Sequence, residues 1–134
     1  GGGFPGVVVA ILAVERAPDC VITLIESDQR KCAFLRTAIR ECGANAKVVS
    51  ERIEKVPPMA ADVISARALA DLTTLLGFAE RHLQPGGIAL FSKGIQWKKE
   101  VDNAGLRWRF DVEPITSLTE SEAVVLKIKG VTRA

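Results

Sequence analysis

The pattern of apolar positions predicts alternating strands and helices along most of the chain. Cys20–Ile25 reads CVITLI, a β-branched apolar run of the kind that is buried on both faces in parallel sheets. Apolar residues then recur at helical spacing: Phe34, Leu35, Ala38, Ile39 and Cys42. Ser27 or Asp28 would cap this helix, and Gly43 would end it. The segment therefore predicts a strand followed directly by an amphipathic helix.

Three further strands are expected, at Lys47–Val49, Asp62–Ser65 and Ile88–Phe91. A helix over about residues 68–83 separates the last two, and the turn-forming sequence Pro85-Gly86-Gly87 launches the third strand. A short element is expected around Ile53, and Val7–Val14 favours a buried helix. This alternation implies right-handed crossover connections and a mostly parallel sheet with helices on both faces.

The end of the chain follows a different pattern. Leu106–Val112 and Ala123–Ile128 are strand-like, and no helical stretch lies between them. Two strands joined in this way are most simply antiparallel. We therefore expect one α/β domain over residues 1–134, with a mostly parallel sheet that finishes in a C-terminal antiparallel hairpin.

Composition and charge narrow the function classes. The chain is 48% hydrophobic and 25% charged, which is typical of a globular protein. A formal net charge of +2 is too small to hold nucleic acid by bulk electrostatics, so any such binding needs a local patch. The three cysteines form no CxxC pair and His82 is the one histidine, which argues against structural zinc and against a disulfide scaffold. We expect a cytoplasmic protein without a metal, and Val7–Val14, the longest apolar run, is too short for the ~20 residues of a membrane span.

Two features indicate a nucleotide-like ligand. The opening GGGFPG fits G-x-G-x-x-G, in which glycines let the backbone approach a ligand and a following helix N-terminus favours negative charge. Glu26, about twenty residues later at a strand end, is placed to accept hydrogen bonds from ribose hydroxyls. The alternatives are a glycine-rich start without function and a solvated acid near a helix N-terminus. The pair does not distinguish a nicotinamide cofactor from S-adenosylmethionine.

The closing hairpin resembles the end of the class I methyltransferase sheet, and the order of motifs carries a closer resemblance. The runs GGGFPG, LIESDQRKCAFLR, SERIEKV, DVISARALADL and LFSKG are similar, in that order, to the RsmG family, also called glucose-inhibited division protein B. The resemblance implies S-adenosylmethionine-dependent methylation of guanine N7 in bacterial small-subunit (16S) ribosomal RNA, with the RNA or the small ribosomal subunit as partner. The family's D-[IV]-G-S strand end does not precede these glycines, so we expect the first strand and the N-terminal helices to be missing.

The resemblance also assigns cofactor-binding residues. It implies that Gly1, Gly3 and Phe4 lie beside the methionine and adenosine portions of the cofactor, and that Glu26 accepts the ribose hydroxyls. Ile53 and Glu54 match the family segment that flanks the adenine. For Ile53 the alternative is plain core packing.

Two basic positions follow predicted strands at the edge where open α/β folds bind ligands. Arg67 matches the arginine that the family places in its active pocket, where it would hold the cofactor carboxylate or an RNA phosphate; the alternative is a solvated arginine at a helix start. Lys93 ends the next strand, and with Arg67 it would orient the target guanosine. A basic cluster interleaved with Trp97 and Trp108 suggests contacts with single-stranded RNA, its cations being Lys93, Lys98, Lys99, Arg107 and Arg109. The alternatives are a solvated charged face and a Trp108 that belongs to the core.

No residue is assigned as a catalytic nucleophile or base. The position of the Asn-Pro-Pro-Tyr motif of amino-group methyltransferases reads Ser65-Ala66-Arg67, and no cysteine lies where carbon-5 pyrimidine methylation would need one. Guanine N7 carries a free lone pair and needs only in-line placement against the methyl group. Other functions stay open on the residues alone: a nicotinamide-dependent oxidoreductase, a non-catalytic RNA-binding module, or an α/β domain of another kind.

Overall fold

The computed structural model describes residues 22–43, 45–67, 70–116 and 124–134. The chain divides into two compact units, residues 1–56 and 57–134. The glycine motif with Gly1, Gly3 and Phe4, and the helix expected over Val7–Val14, lie outside the described residues. The expectation of one domain and of a missing first strand therefore stays a prediction.

The first unit contains a parallel strand pair joined by a helix. β1 (Ile22–Glu26) leads into α1 (Gln29–Cys42), which leads into β2 (Ala46–Ser50). The two strands are in parallel register, with Glu26 opposite Ser50. The predicted strand–helix–strand order is confirmed.

Local chemistry sets both ends of α1. The Asp28 carboxylate accepts hydrogen bonds from the backbone N–H groups of Arg30 and Lys31, at 2.9 and 3.2 Å, which satisfies two donors that have no partner within the helix. Gly43 ends the helix with a φ of 65°, a left-handed conformation that favours glycine. Cys32 and Leu35 are buried, whereas Phe34 is 65% exposed. Phe34 follows the apolar spacing of the helix but lies outside its buried face, because it is rotated by about 100° from Leu35 around the helix axis.

The second unit is built on four strands. It runs through β3 (Ala61–Arg67), α2 (Leu72–His82), β4 (Leu83–Lys93), α3 (Trp97–Ala104), β5 (Trp108–Thr116) and β6 (Val124–Arg133). The strand order is β3-β4-β6-β5, with β3 and β4 parallel and β6 antiparallel to both of its neighbours. The C-terminal antiparallel pair is confirmed, and the structure adds that its second strand lies between β4 and β5.

β4 begins earlier than expected. Leu83 already pairs with Ala61, and Ile88 pairs with Val63, so the Pro85-Gly86-Gly87 sequence is an irregular insertion within the strand rather than a turn before it. A Cβ atom at Gly87 would lie 2.9 Å from Leu83 Cδ2 and 3.0 Å from the Ala61 carbonyl oxygen. Only glycine fits this close approach of two strands.

Two helices also differ from expectation. α2 begins at Leu72 rather than near residue 68, because Asp71 takes the N-cap position. α3 was not predicted at all. Its signal was the spacing of Trp97, Val101 and Ala104, four and three residues apart, which places them on one helix face against the core.

The core of the second unit is an apolar layer between α2 and the sheet. Alternate residues of β4 and β6 are buried, as the two-residue period of a strand requires. They meet the apolar stripe of α2, and the buried members are Leu72, Leu75, Leu76, Ala79, Ala89, Phe91, Val124, Leu126 and Ile128. Trp108 is 8% exposed and belongs to this core. Of the two interpretations of this residue, RNA stacking and core packing, the structure favours core packing.

We expect Leu76→Ala to lower the free energy of unfolding by about 2–5 kcal/mol, because Leu76 is fully buried and its truncation leaves a cavity. Leu106→Ala is the matched control: Leu106 is 81% exposed, so the change should stay within about 0.5 kcal/mol. Urea unfolding followed by circular dichroism measures both. Equal effects of the two substitutions would contradict the described core.

Candidate functional site

In the first unit, the predicted ribose-binding acid ends a strand and its backbone is firmly held. The Glu26 carbonyl oxygen accepts hydrogen bonds from the Glu51 N–H and from the Cys32 thiol, both at 3.1 Å. Its carboxylate accepts the Ser27 N–H at 3.0 Å. A carboxylate accepts several hydrogen bonds at once, so this contact is compatible with ribose binding. The structure thus presents Glu26 as an acceptor at the carboxyl end of β1.

The other predicted cofactor residues of this unit lie on a short turn at the same strand edge. Ile53–Lys55 forms a single 3-10 turn, two residues after Glu51, whose N–H is bonded to Glu26. Ile53 is half-buried, and the buried apolar residue of this segment is Val56 instead. Glu26 and Ile53 are therefore brought to one edge of the β1–β2 pair, as parallel strands require.

Glu54 is an exposed, charged acceptor on this turn. A hydrogen bond from its own backbone N–H, and then the Arg52 guanidinium 3.3 Å from its carboxylate, hold the pKa of Glu54 below its usual value. The carboxylate is ionised at neutral pH and accepts hydrogen bonds without donating any. That chemistry suits an amino group on a flat heterocycle.

In the second unit, Arg67 and Lys93 end neighbouring parallel strands. Arg67 pairs with Ser92, the residue before Lys93, so their backbones lie side by side at the carboxyl edge of β3 and β4. The predicted juxtaposition of these two positions is confirmed for the backbone. Lys93 is nevertheless not a solvent-facing cation, since its side chain is 8% exposed.

The buried Lys93 ammonium binds groups of its own unit. Its Nζ atom donates to the Ala70 carbonyl oxygen at 2.7 Å and lies 3.0 Å from Glu100 Oε1. The same Glu100 oxygen accepts the Leu72 N–H at 3.1 Å. Sequence reasoning missed Glu100, because nothing in the spacing of the charges along the chain pairs it with Lys93.

The five cations predicted as one RNA-binding cluster do not form one patch. In the antiparallel ladders, Lys93 and Thr116 both pair with Val124, whereas Trp108 pairs with Arg133 at the other end of β5. The eight residues of strand from Trp108 to Thr116 span roughly 25 Å. Arg107 and Arg109 flank Trp108 and so lie far from Lys93, while Lys98 and Lys99 are in the first turn of α3, just before Glu100. The prediction that Lys93 shares one cluster with Arg107 and Arg109 was wrong, because the length of β5 lies between them.

The comparison with protein families identifies the chain. The family model described as GidB, rRNA small subunit methyltransferase G, matches residues 1–127. The chain belongs to this family.

Relatives in the GidB family are close in sequence. The chain is 65% identical over 133 residues to ribosomal RNA small subunit methyltransferase G of Ruegeria sp. (strain TM1040), covering 99% of this chain and 65% of that protein. It is 61% identical to the protein of the same name from Ruegeria pomeroyi, with the same coverage of both chains. The chain thus spans slightly less than two thirds of the length of these relatives.

Solved structures confirm the fold expected for a GidB family member. An S-adenosylmethionine-dependent methyltransferase, SibL in its apo form, superimposes with a TM-score of 0.72 at 15% identity, covering 96% of this chain and 48% of that one. The predicted class I methyltransferase fold, an α/β sheet that ends in antiparallel strands, is confirmed.

The aromatic residues proposed for RNA stacking are largely engaged inside the second unit. Trp108 is a core residue, and the Arg133 guanidinium lies 5.5 Å from the centre of its ring. Trp97 packs against the core, with the Lys98 ammonium 5.6 Å from its ring centre. Both rings carry cation–π contacts, so neither offers a fully open face for stacking.

A cleft of the second unit is lined in part by Arg107, one of the predicted RNA-binding residues. It has a volume of about 490 Å³ and is lined by Thr73, Thr74, Leu106, Arg107, Trp108, Arg133 and Ala134. Over the described ranges, no group of three or more His, Cys, Asp or Glu side chains is placed to hold a metal ion. No helix within those ranges is both long and apolar enough to cross a membrane.

Asp71 caps α2 beside the Lys93 pair, and its charge is favoured by its surroundings. Hydrogen bonds from the hydroxyl and the N–H of Thr74, and more weakly the Lys93 charge, lower the pKa of the Asp71 carboxyl. Because the pKa is lower in the folded state, the stabilisation is complete above the unfolded value of about 4 and is lost as the pH falls through the folded value.

We expect Asp71→Ala to lower the free energy of unfolding by about 1 kcal/mol at neutral pH, the usual cost of a lost N-cap. The difference from the unsubstituted protein should shrink as the pH falls below about 4, where Asp71 becomes protonated. Urea titrations at a series of pH values measure it. Asp102→Ala, at an exposed acid within α3, serves as the control and should change the free energy of unfolding by no more than about 0.5 kcal/mol. A deficit for Asp71→Ala that is the same at every pH would contradict the assignment.

Proposed function

We propose that this chain is the catalytic part of an enzyme that transfers a methyl group from S-adenosylmethionine to guanine N7 in small-subunit (16S) ribosomal RNA. The observation that carries the proposal is the strand edge of the first unit. There the Glu51 N–H donates to the Glu26 backbone carbonyl oxygen, which holds the end of β1 beside the segment that leads into the turn Ile53–Lys55. Membership of the GidB family supports the reaction and the RNA substrate, and the fold supports the methyl donor.

The residues of the first unit fit the adenosine half of this cofactor. Glu26 would accept the ribose hydroxyls, half-buried Ile53 would pack against the adenine, and ionised Glu54 would accept from its amino group. Gly1, Gly3 and Phe4 would lie beside the methionine and adenosine portions. A carboxylate, an apolar side chain and a second acceptor form a set that matches a ribose and a flat heterocycle with an exocyclic amine.

The second unit would contribute cations at its own strand edge. Arg67 would hold the cofactor carboxylate or an RNA phosphate through paired hydrogen bonds. Lys98 and Lys99 are exposed in the first turn of α3 and would contact the RNA backbone, as would Arg107 and Arg109 at the opposite edge. The RNA partner would be the ribosomal RNA itself or the small ribosomal subunit.

The reaction requires the protein to position the guanine and the methyl donor, and it requires no acid–base catalysis. When bound, S-adenosylmethionine supplies an electrophilic methyl carbon on a sulfonium. The guanine N7 lone pair forms the new N–C bond while the C–S bond breaks, and the departing sulfur keeps the electron pair. No proton moves in this step, so the residues of the chain need only align the guanine and exclude water. Such alignment supplies roughly 7–11 kcal/mol in favourable intramolecular reactions.

The reaction is tested by methyl transfer from tritium-labelled S-adenosylmethionine to small-subunit RNA, with the protein in its full natural length. We expect the label in N7-methylguanosine after the RNA is digested to nucleosides. Both the naked RNA and the assembled subunit are assayed, and transfer to either supports the proposal. Label on an amino group or on a ring carbon would contradict N7 as the acceptor.

The cofactor assignment is tested by Glu26→Ala. We expect the affinity for S-adenosylmethionine to fall by about 1–3 kcal/mol, which is about fivefold to 150-fold, because hydrogen bonds to a charged acceptor are lost. Isothermal titration calorimetry measures it, and Glu41→Ala, a change at an exposed glutamate of α1, should leave the affinity unchanged. If both variants bind like the unsubstituted protein, Glu26 does not contact the ribose.

A further inference from the structure

A buried ion pair joins the end of β4 to the first turn of α3. Lys93 Nζ lies 3.0 Å from Glu100 Oε1, and the two side chains are 8% and 26% exposed. Glu100 lies in the first turn of its helix, where the helix dipole favours a negative charge. The pair is thus largely removed from water and has a defined geometry.

Both partners of this pair also bind backbone groups at the start of α2. Lys93 donates to the Ala70 carbonyl oxygen at 2.7 Å, and Glu100 accepts the Leu72 N–H at 3.1 Å. The Leu72 N–H is one of the first N–H groups of the helix, which have no partner within it. Between them, Asp71 caps the helix through Thr74. Three successive residues, Ala70, Asp71 and Leu72, are therefore each held by a side-chain hydrogen bond.

These contacts lie next to a proposed site residue. The Arg67 backbone is held by the β3–β4 ladder opposite Ser92, the residue before Lys93. The β3–β4 ladder thus holds the Arg67 backbone, and the side chains of Lys93 and Glu100 hold Ala70 and Leu72. Buried ion pairs add little net stability compared with apolar replacements, so their main effect here is on where the backbone lies.

We infer that Glu100 is a positioning residue for methyl transfer, which with Lys93 fixes the backbone of residues 70–72 in the segment that follows Arg67. The inference rests on the proposed function, because it is Arg67 that would hold cofactor or RNA. It also gives Lys93 a different role from the predicted RNA contact. Lys93 acts through Glu100 and the Ala70 carbonyl rather than on an RNA phosphate.

Three variants test the inference: Glu100→Gln, Glu100→Ala and Lys93→Met. The glutamine keeps an oxygen for the Leu72 N–H but loses the ion pair, whereas the alanine loses both contacts. We expect kcat for methyl transfer to fall about tenfold in Glu100→Gln and about a hundredfold in Glu100→Ala, the scale of a small misplacement near the chemistry. KM for RNA should change less than about threefold, because none of these groups contacts RNA in the inferred arrangement. Asp102→Asn alters another acid of α3 and should leave kcat unchanged.

Two further measurements separate this role from RNA contact and from a merely structural one. The salt dependence of RNA binding should keep its slope in Lys93→Met, and the double variant Lys93→Met/Glu100→Ala should be no slower than Glu100→Ala alone. Activities are compared per folded molecule, with thermal unfolding run in parallel. Hydrogen exchange at the Leu72 amide should accelerate in Glu100→Ala whatever the activity.

The outcomes distinguish failure of the inference from failure of the proposed function. A salt slope reduced by about one in Lys93→Met would make Lys93 a phosphate contact and overturn the inference. So would kcat values for the Glu100 variants that match the unsubstituted protein once corrected for folded fraction. If the unsubstituted protein methylates no RNA, the proposed function itself fails, and unchanged Leu72 exchange in Glu100→Ala would then overturn the backbone role independently.

Discussion

The burial of the apolar stripe of α2 on β4 and β6 is the interaction on which the second unit depends. Leu72, Leu75, Leu76 and Ala79 fall on one helix face, and alternate residues of β4 and β6 face them. Because the helical and strand periods both present an apolar surface, one layer of side chains holds three elements together. The ends of β3 and β4, where Arg67 and Lys93 lie, are positioned by that layer.

Parallel strand pairing brings the predicted site residues of each unit to one edge of its strands. Each unit contains one parallel pair, β1 with β2 and β3 with β4, and the carboxyl ends of parallel strands meet on one side. In the first unit that side carries Glu26 and the turn of Ile53 and Glu54. In the second it carries Arg67 and Lys93. Residues that are distant in sequence thus come to the same strand edge within each unit, because the paired strands run in the same direction.

The positive charge of Lys93, at the strand edge of the second unit, is balanced by groups of the same unit. The Lys93 ammonium is surrounded by Glu100 and the Ala70 carbonyl, and its field also favours the ionised form of Asp71. A lysine that looks from the sequence like a phosphate ligand is thereby tied to the start of α2. The predicted RNA-binding cations left exposed are Lys98 and Lys99 on α3, and Arg107 and Arg109 on either side of Trp108.

Local chemistry made several features predictable: the end of α1 at Gly43 and its start at Ser27 or Asp28, the β-branched strands, the antiparallel end of the sheet and the ordered motifs of the GidB family. Periodicity and turn residues also placed Glu26, Ile53, Arg67 and Lys93 at strand ends or in the turn that follows, because they report where strands stop. Three features come from three-dimensional packing instead: β6 lies between β4 and β5, Trp108 is buried, and Glu100 neutralises Lys93. These depend on which surfaces meet across distant segments, and no local pattern encodes the partner of a charge or the neighbour of a strand.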